Sequence, residues 1–348
     1  MPTTSVTLLV GPDCLGPGLA ALLADAAGRL DVAVHEIGPS YAWMLARAAG
    51  RGLPVRLLVD DHAGPTTGTV AVLRRSAASV EVRACGGRRG ADAHWKLILA
   101  GDAGSAVVAV GTGNLILRDA QYHGDQPAGT RELWVLLSGH PAVEAVVRGA
   151  LDSAWATARA VLPAPAAPAV PDLTVPPVHD PGSHSRPLTL DVAAGAVTAV
   201  TCGGDVARLL QQRLDGCRER ALVCVPYIHP GAPAVAQLLD AFGAAGRRGA
   251  AVRVLLGADP RGDPSAADVT ALVARGLPAR VMDAQRVTTG HAKVAVIDST
   301  LICGSANWSG AGLGGNLEAA LAVDDARAAD HVAAVFEHDW ARSGPSLR

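Results

Sequence analysis

The stretch HWKLILAGDAGSAVVAVGTGN, His94 to Asn114, returns as HAKVAVIDSTLICGSAN, His291 to Asn307, and this repetition constrains the fold more than any other feature of the chain. RGLPVRLLVD from Arg51 matches RGAAVRVLLG from Arg248 at an offset of 197 residues, and the two His-x-Lys histidines stand at the same offset. The asparagines that close the two stretches follow at 193, Glu132 and Glu318 at 186, and Trp155 and Trp340 at 185. A register held this long and then shortened by loop deletions marks an internal duplication. The chain divides accordingly into an N-terminal half over 1–160, a Pro- and Ala-rich linker over 161–187, and a C-terminal half over 188–348.

Each half reads as β-α-β-β-β with a closing helix. In the second, ALVCVPYI is a strand, and Pro233 opens a helix with Val235, Leu238, Leu239 and Phe242 on one face before Gly246 and Gly249 end it. VRVLLGA, ARVMD, HAKVAVID and LICGS follow as short, nearly continuous apolar strands, which suits sheets covered by helices on both faces. In the first half PSYAWMLARAAGRG plays the helix, with Ser40 as N-cap and Gly50 as stop. Trp155 and Trp340 fall on closing amphipathic helices and read as packing anchors.

On a strand, residues i and i+2 share a face. His94 with Lys96, and His291 with Lys293, each set an imidazole beside an ammonium, an arrangement that packing alone does not call for. The small-residue loops GTGN and GSAN bring backbone N–H groups, Thr112 or Ser305, and the amides of Asn114 or Asn307 close to the same place, a setting for an anion. Such a double set suits a phosphodiester. One His attacks phosphorus, the other protonates the leaving oxygen and then activates water or an alcohol, and lysines and asparagines neutralise the equatorial charge, with no metal required. Glu132 and Glu318 lie 38 and 27 residues beyond their histidines, and a carboxylate on imidazole Nδ1 would fix the tautomer. Asp298, an odd number of positions from His291 and in a DST turn, reads as structural. Gly101 takes its place in the first copy, and Asp102 comes one residue late.

The motif pair resembles the phospholipase D superfamily, whose signature is H-x-K-x4-D followed by G-S/T-x-N. The second copy carries every position: His291, Lys293, Asp298, Gly304, Ser305 and Asn307. The first carries His94, Lys96, Gly111, Thr112 and Asn114 with the Asp displaced. The resemblance implies a duplicated α/β sandwich with mixed sheets, one pseudo-two-fold active site between the halves, no cofactor and no metal, and it implies that His94 is the nucleophile.

Composition narrows the substrate. The net charge of −2 gives no global pull towards nucleic acid or anionic lipid, so any attraction is local, and Arg88, Arg89, Arg118 and Arg131 gather around the first motif. Arg88 and Arg89 are the candidates for substrate phosphate. The N-terminus lacks the pattern of a signal peptide, and no run nears the ~18 apolar residues of a membrane span. The six cysteines have no C-x-x-C pair and read as reduced thiols of a cytoplasmic protein. VDDH, Asp60 to His62, reads as a turn rather than a metal site, and His179, Asp180 and His184 as solvated linker. The expectation is a metal-independent phosphodiesterase acting through phosphohistidine. Nucleic acid is favoured over phospholipid, and the alternatives are a phospholipase D or phosphatidyl transferase and, from another class, an inactive phosphate-backbone-binding protein.

Overall fold

The computed structural model of the chain describes residues 3–60, 62, 69, 73, 80–86, 92–116, 129–161, 185–257, 264–283 and 289–344. Within them the duplication is visible as strand order. The first sheet runs Val80–Cys85, Val55–Asp60, Leu30–Val34, Lys96–Ala100, Val107–Gly111, Thr130–Ser138, Thr3–Gly11. The second runs Ala279–Val281, Ala251–Leu256, Arg220–Val225, Val294–Ile297, Thr300–Gly304, Ala320–Asp324, Val197–Val200. In each, the first three strands are parallel and the later neighbours antiparallel. One strand crosses the expected boundary: Leu188–Ala193 pairs with Thr3–Gly11 at the edge of the first sheet. The linker between 162 and 184 lies outside the described residues.

The apolar strands are continuous because both faces of each sheet are covered. Outside the first sheet pack the helices Leu15–Asp25 and Pro39–Gly50, and outside the second Gly203–Gly216, Pro233–Arg247 and Pro264–Val273. Between the sheets one aliphatic core joins Leu97, Val110 and Leu133 to Leu222, Val294 and Leu321, and takes in the closing helices Pro141–Thr157 and Ala326–Arg342. The four apolar residues expected on Pro233–Arg247 are buried, and full burial of Phe242 contributes about 1.5–3 kcal/mol. Ser40 does not cap. Gly38 is the N-cap and Pro39 supplies the first helical φ, so the helix starts two residues early and Ser40 is buried in its first turn.

The two tryptophans are held alike. Arg56 and Arg83 lie 5.0 and 4.8 Å from the Trp155 ring, and Arg253 and Arg280 lie 5.5 and 4.7 Å from the Trp340 ring. Arg83 and Arg280 each donate to the carbonyl of their tryptophan at 2.7 Å. Both arginine pairs stand at the 197-residue offset, so the repeat extends to its helix anchors.

Candidate active site

The two His-x-Lys segments enter their strands from the opposite half. Ala93 forms a parallel bridge with Leu317, and His94 N–H donates to the Leu317 carbonyl at 3.0 Å. Likewise Thr289–Gly290 pairs in parallel with Thr130 and Arg131, and His291 N–H donates to the Arg131 carbonyl at 3.1 Å. Both histidines therefore precede the regular strands Lys96–Ala100 and Val294–Ile297 rather than standing within them. Each segment docks beside the stretch that carries the other half's glutamate, within Thr130–Ser138 for Glu132 and just before Ala320–Asp324 for Glu318, and the pairings are crossed. His94 Nδ1 lies 3.1 Å from Glu318, and His291 Nδ1 lies 2.7 Å from Glu132. A carboxylate on Nδ1 leaves Nε2 as the reactive nitrogen in both imidazoles.

The carboxylates are held from behind. Glu132 and Glu318 are buried, and each accepts a short hydrogen bond, from the Thr112 hydroxyl and the Ser305 hydroxyl respectively. Those hydroxyls accept in turn from Leu133 N–H at 2.9 Å and Ala319 N–H at 3.0 Å. Thr112 and Ser305, expected against substrate, are thus wholly buried and orient the glutamates instead. Gly113 must be glycine for the same packing, because a Cβ there would stand 2.6 Å from the Glu132 carboxyl carbon. Asn316, which the sequence reading did not single out, donates to Glu318 at 3.3 Å and accepts from Asp92 N–H at 3.1 Å.

Both lysines are buried. Lys96 donates to the His94 carbonyl at 2.8 Å; Lys293 donates to the His291 carbonyl at 2.7 Å and to the Thr112 carbonyl at 3.2 Å, so its ammonium ties the two halves together. Lys293 Nζ is also 2.8 Å from both ring nitrogens of His291. Asn114 accepts from Glu36 N–H at 3.3 Å through its Oδ1. Burial, then the Lys96 ammonium and more weakly Lys293, push the His94 imidazole down to about 3 against the pull of Glu318. The imidazole is therefore held neutral at neutral pH.

The segment over residues 210–340 matches a family model described as cardiolipin synthase, phospholipase D-like domain, and the first motif repeats its His-x-Lys and Gly-Thr-x-Asn across the interface. Over that segment the chain is similar to the phospholipase D-like family. Among solved structures, phosphatidylserine synthase from Haemophilus influenzae is similar at 12% identity and a TM-score of 0.63, over 96% of this chain and 85% of that one. Polyphosphate kinase from Porphyromonas gingivalis is similar at 14% identity and a TM-score of 0.60, over 95% of this chain, which spans 50% of the kinase. The phospholipase D family member Nuc from Salmonella typhimurium matches at 21% identity and a TM-score of 0.36, over 42% of this chain and 97% of that one. No curated protein matches by sequence.

The aspartate of the phospholipase D signature has the hairpin role read from its parity. Asp298, at φ 50°, accepts from the N–H groups of Arg218, Glu219 and Arg220 at 3.0, 2.8 and 3.1 Å. Burial works against its charge, but these backbone donors prevail and hold its carboxyl below the usual range. Gly101, at φ 129°, covers the same turn in the first copy, and its N–H donates to the Arg29 carbonyl at 2.8 Å as Asp298 N–H does to Arg220. Arg131 is not a steering residue. It is buried and bridges Asp339 at 2.7 Å and Asp13 at 3.3 Å, because its position two residues before Leu133 places it under the closing helix. Arg88, Arg89 and Arg118 lie outside the described residues, as do Asp61, His179, Asp180 and His184. Asp60, His62 and Asp92 bring ligand atoms within 4.8 Å of one another, but the Asp60 oxygens accept from His62 N–H and Ala93 N–H at 2.7 Å each. That is the work of a loop tie.

Proposed function

We propose that the protein cleaves phosphodiesters through a phosphohistidine, without a metal. The observation that supports this reading is the crossed pair of His–Glu contacts, each of which puts a buried carboxylate on Nδ1 of a motif imidazole. His94 Nε2 attacks phosphorus, an N–P bond forms, and the P–O bond to the leaving group breaks as His291 gives that oxygen its proton. In the second step water or an alcohol passes its proton to His291 and displaces His94 Nε2. Lys96, Lys293, Asn114 and Asn307 stabilise the equatorial oxygens in both steps. Water as acceptor makes the enzyme a hydrolase, and an alcohol makes it a transferase.

Nucleic acid is the substrate class that the sequence reading puts first, on Arg88 and Arg89 just before His94. Phospholipid is the second reading, favoured by the family model's description and by the phosphatidylserine synthase with which the chain shares its fold. Among the described residues no helix is long and apolar enough to cross a membrane, and the cysteines are free, in keeping with a reducing cytoplasm. The test is a panel of single-stranded DNA, duplex DNA, RNA and short-chain phosphatidylcholine with ethanol, across a salt series. A nuclease shows affinity falling with salt at a log–log slope of about −0.7 to −0.9 per phosphate neutralised. Formation of phosphatidylethanol with every nucleic acid left intact overturns the nuclease reading in favour of lipid.

A further inference from the structure

The halves match at the motifs but not beside them. Leu30–Val34 and Val55–Asp60 are parallel neighbours, so their C-terminal ends bring His35 next to Asp60. The offset that carries Arg51 onto Arg248 carries Asp60 onto Gly257. The bridges Ile37–Leu115 and Ile228–Trp308, each one residue past a motif asparagine, carry His35 onto Pro226. The second half therefore has neither group, and it has no room for one: a Cβ on Gly257 would meet the Gly290 carbonyl oxygen at 1.7 Å.

In the first half the pair brackets His94. The rings of His35 and His94 stand 5.1 Å apart between centroids, tilted by 56°. Asp60 Oδ2 lies 3.9 Å from His35 Nδ1 and accepts from Ala93 N–H, the residue before His94. His35 N–H donates to the carbonyl of Trp95, the residue after it, at 3.2 Å. So the backbone on both sides of His94, and its ring, are met by two residues whose counterparts in the second half are Pro226 and Gly257. The difference shows in exposure, 11% for the His94 side chain against 26% for His291.

We propose that His35, braced by Asp60, is a positioning residue for His94, and that its presence in one half only gives the nucleophile's role to His94 rather than His291. This rests on the phosphodiester reading above. A nucleophile must hold its line to phosphorus, and a misplacement of about 1 Å costs on the order of 100-fold. The acid–base histidine must instead reach protons on substrate and solvent. The His35 ring also keeps water from the His94 imidazole, whose other charged neighbours are Glu318, Lys96 and Lys293. The groups facing His35 itself are Lys96, Asp60, Glu36 and Asp92.

The experiment uses the full chain labelled with 15N-histidine. The titrations of His94 and His291 are followed by NMR in wild type, His35→Ala, His35→Gln and Asp60→Asn, with thermal melts as the check on folding. Turnover of bis(p-nitrophenyl) phosphate is measured across pH 2–8, and the phosphoenzyme is trapped by alkaline quench. His35→Ala should raise the pH at which His94 titrates by about one unit as water reaches the ring. It should move the acid limb of kcat/KM the same way and lower kcat about 10-fold with KM little changed. His35→Gln and Asp60→Asn should fall between, with His291 unmoved and the trapped phosphate on His94. His94 titrating as in wild type in all three variants, His291 shifting as much as His94, or phosphate recovered on His291 overturns the proposal. Should His35→Ala not fold, the two conservative variants decide. The NMR arm needs no substrate, so an inactive wild type sinks the phosphodiester reading while the titrations still judge this one.

Discussion

The two faces of the site carry the same groups in unlike settings. On one, His94 is nearly buried, neutral and packed against His35; on the other, His291 is a quarter exposed with the Lys293 ammonium against its ring. The motif copies differ in the opposite sense. The copy with the displaced aspartate surrounds the better-buried histidine, and the copy that keeps the whole signature surrounds the more open one. The aspartate closes a hairpin, whereas burial and neighbouring charge set the chemistry of the imidazole. A duplicated scaffold thus supplies symmetry, and small local departures from it divide the labour.

The largest effect expected is loss of turnover, by at least about 100-fold, in both His94→Ala and His291→Ala with the fold intact by thermal melt. Appreciable activity left in either one would break the idea of a single shared site. With a nitrophenyl leaving group, which needs no proton, His291→Ala should accumulate phosphoenzyme and His94→Ala should form none.

Next come Glu132→Gln and Glu318→Gln, each slowing turnover about 10- to 100-fold. The crossed pairing sharpens the expectation, because Glu318→Gln should slow phosphoenzyme formation through His94. Glu132→Gln should act through His291, so a nitrophenyl leaving group should restore its first step but not that of Glu318→Gln. The reverse pattern, read by stopped-flow release of nitrophenol, would mean that the roles of the two faces are exchanged.

Smaller still is a contrast in stability. Asp298→Ala removes charged hydrogen bonds to three backbone N–H groups and should cost about 1–3 kcal/mol in urea unfolding. Asp102→Ala should stay within about 0.5 kcal/mol, since Gly101 already turns the chain there. Equal losses would show that the displaced aspartate does the same work. The smallest effect is that of excess EDTA, which should change activity by no more than about twofold, because the lysine ammoniums supply the electrostatic stabilisation. Abolition by EDTA with recovery on adding Mg²⁺ or Zn²⁺ would replace the proposed mechanism.

The sequence by itself determined the duplication, the strand–helix–strand unit ahead of each motif, and the residue types around the motifs, but not the helices Gly203–Gly216 and Pro264–Val273. These are properties of pattern and spacing, and two copies in register make each reading check the other. It also told the hairpin role of Asp298, because side-chain parity along a strand is a local rule. Tertiary structure alone decided the partners. Which histidine meets Glu132 depends on the strand edge where the Thr289–Gly290 segment docks, and that edge belongs to the other half. Thr112 and Ser305 looked like substrate contacts until packing buried them against the glutamates, and Arg131 looked free until Asp13 and Asp339 closed around it. His35 and Asp60 carry no motif and lie 25 residues apart in the chain, so only the alignment of two parallel strand ends brings them to His94. Spacing along a chain fixes which residues are available, but burial and docking, which sum over the whole fold, fix what each of them touches.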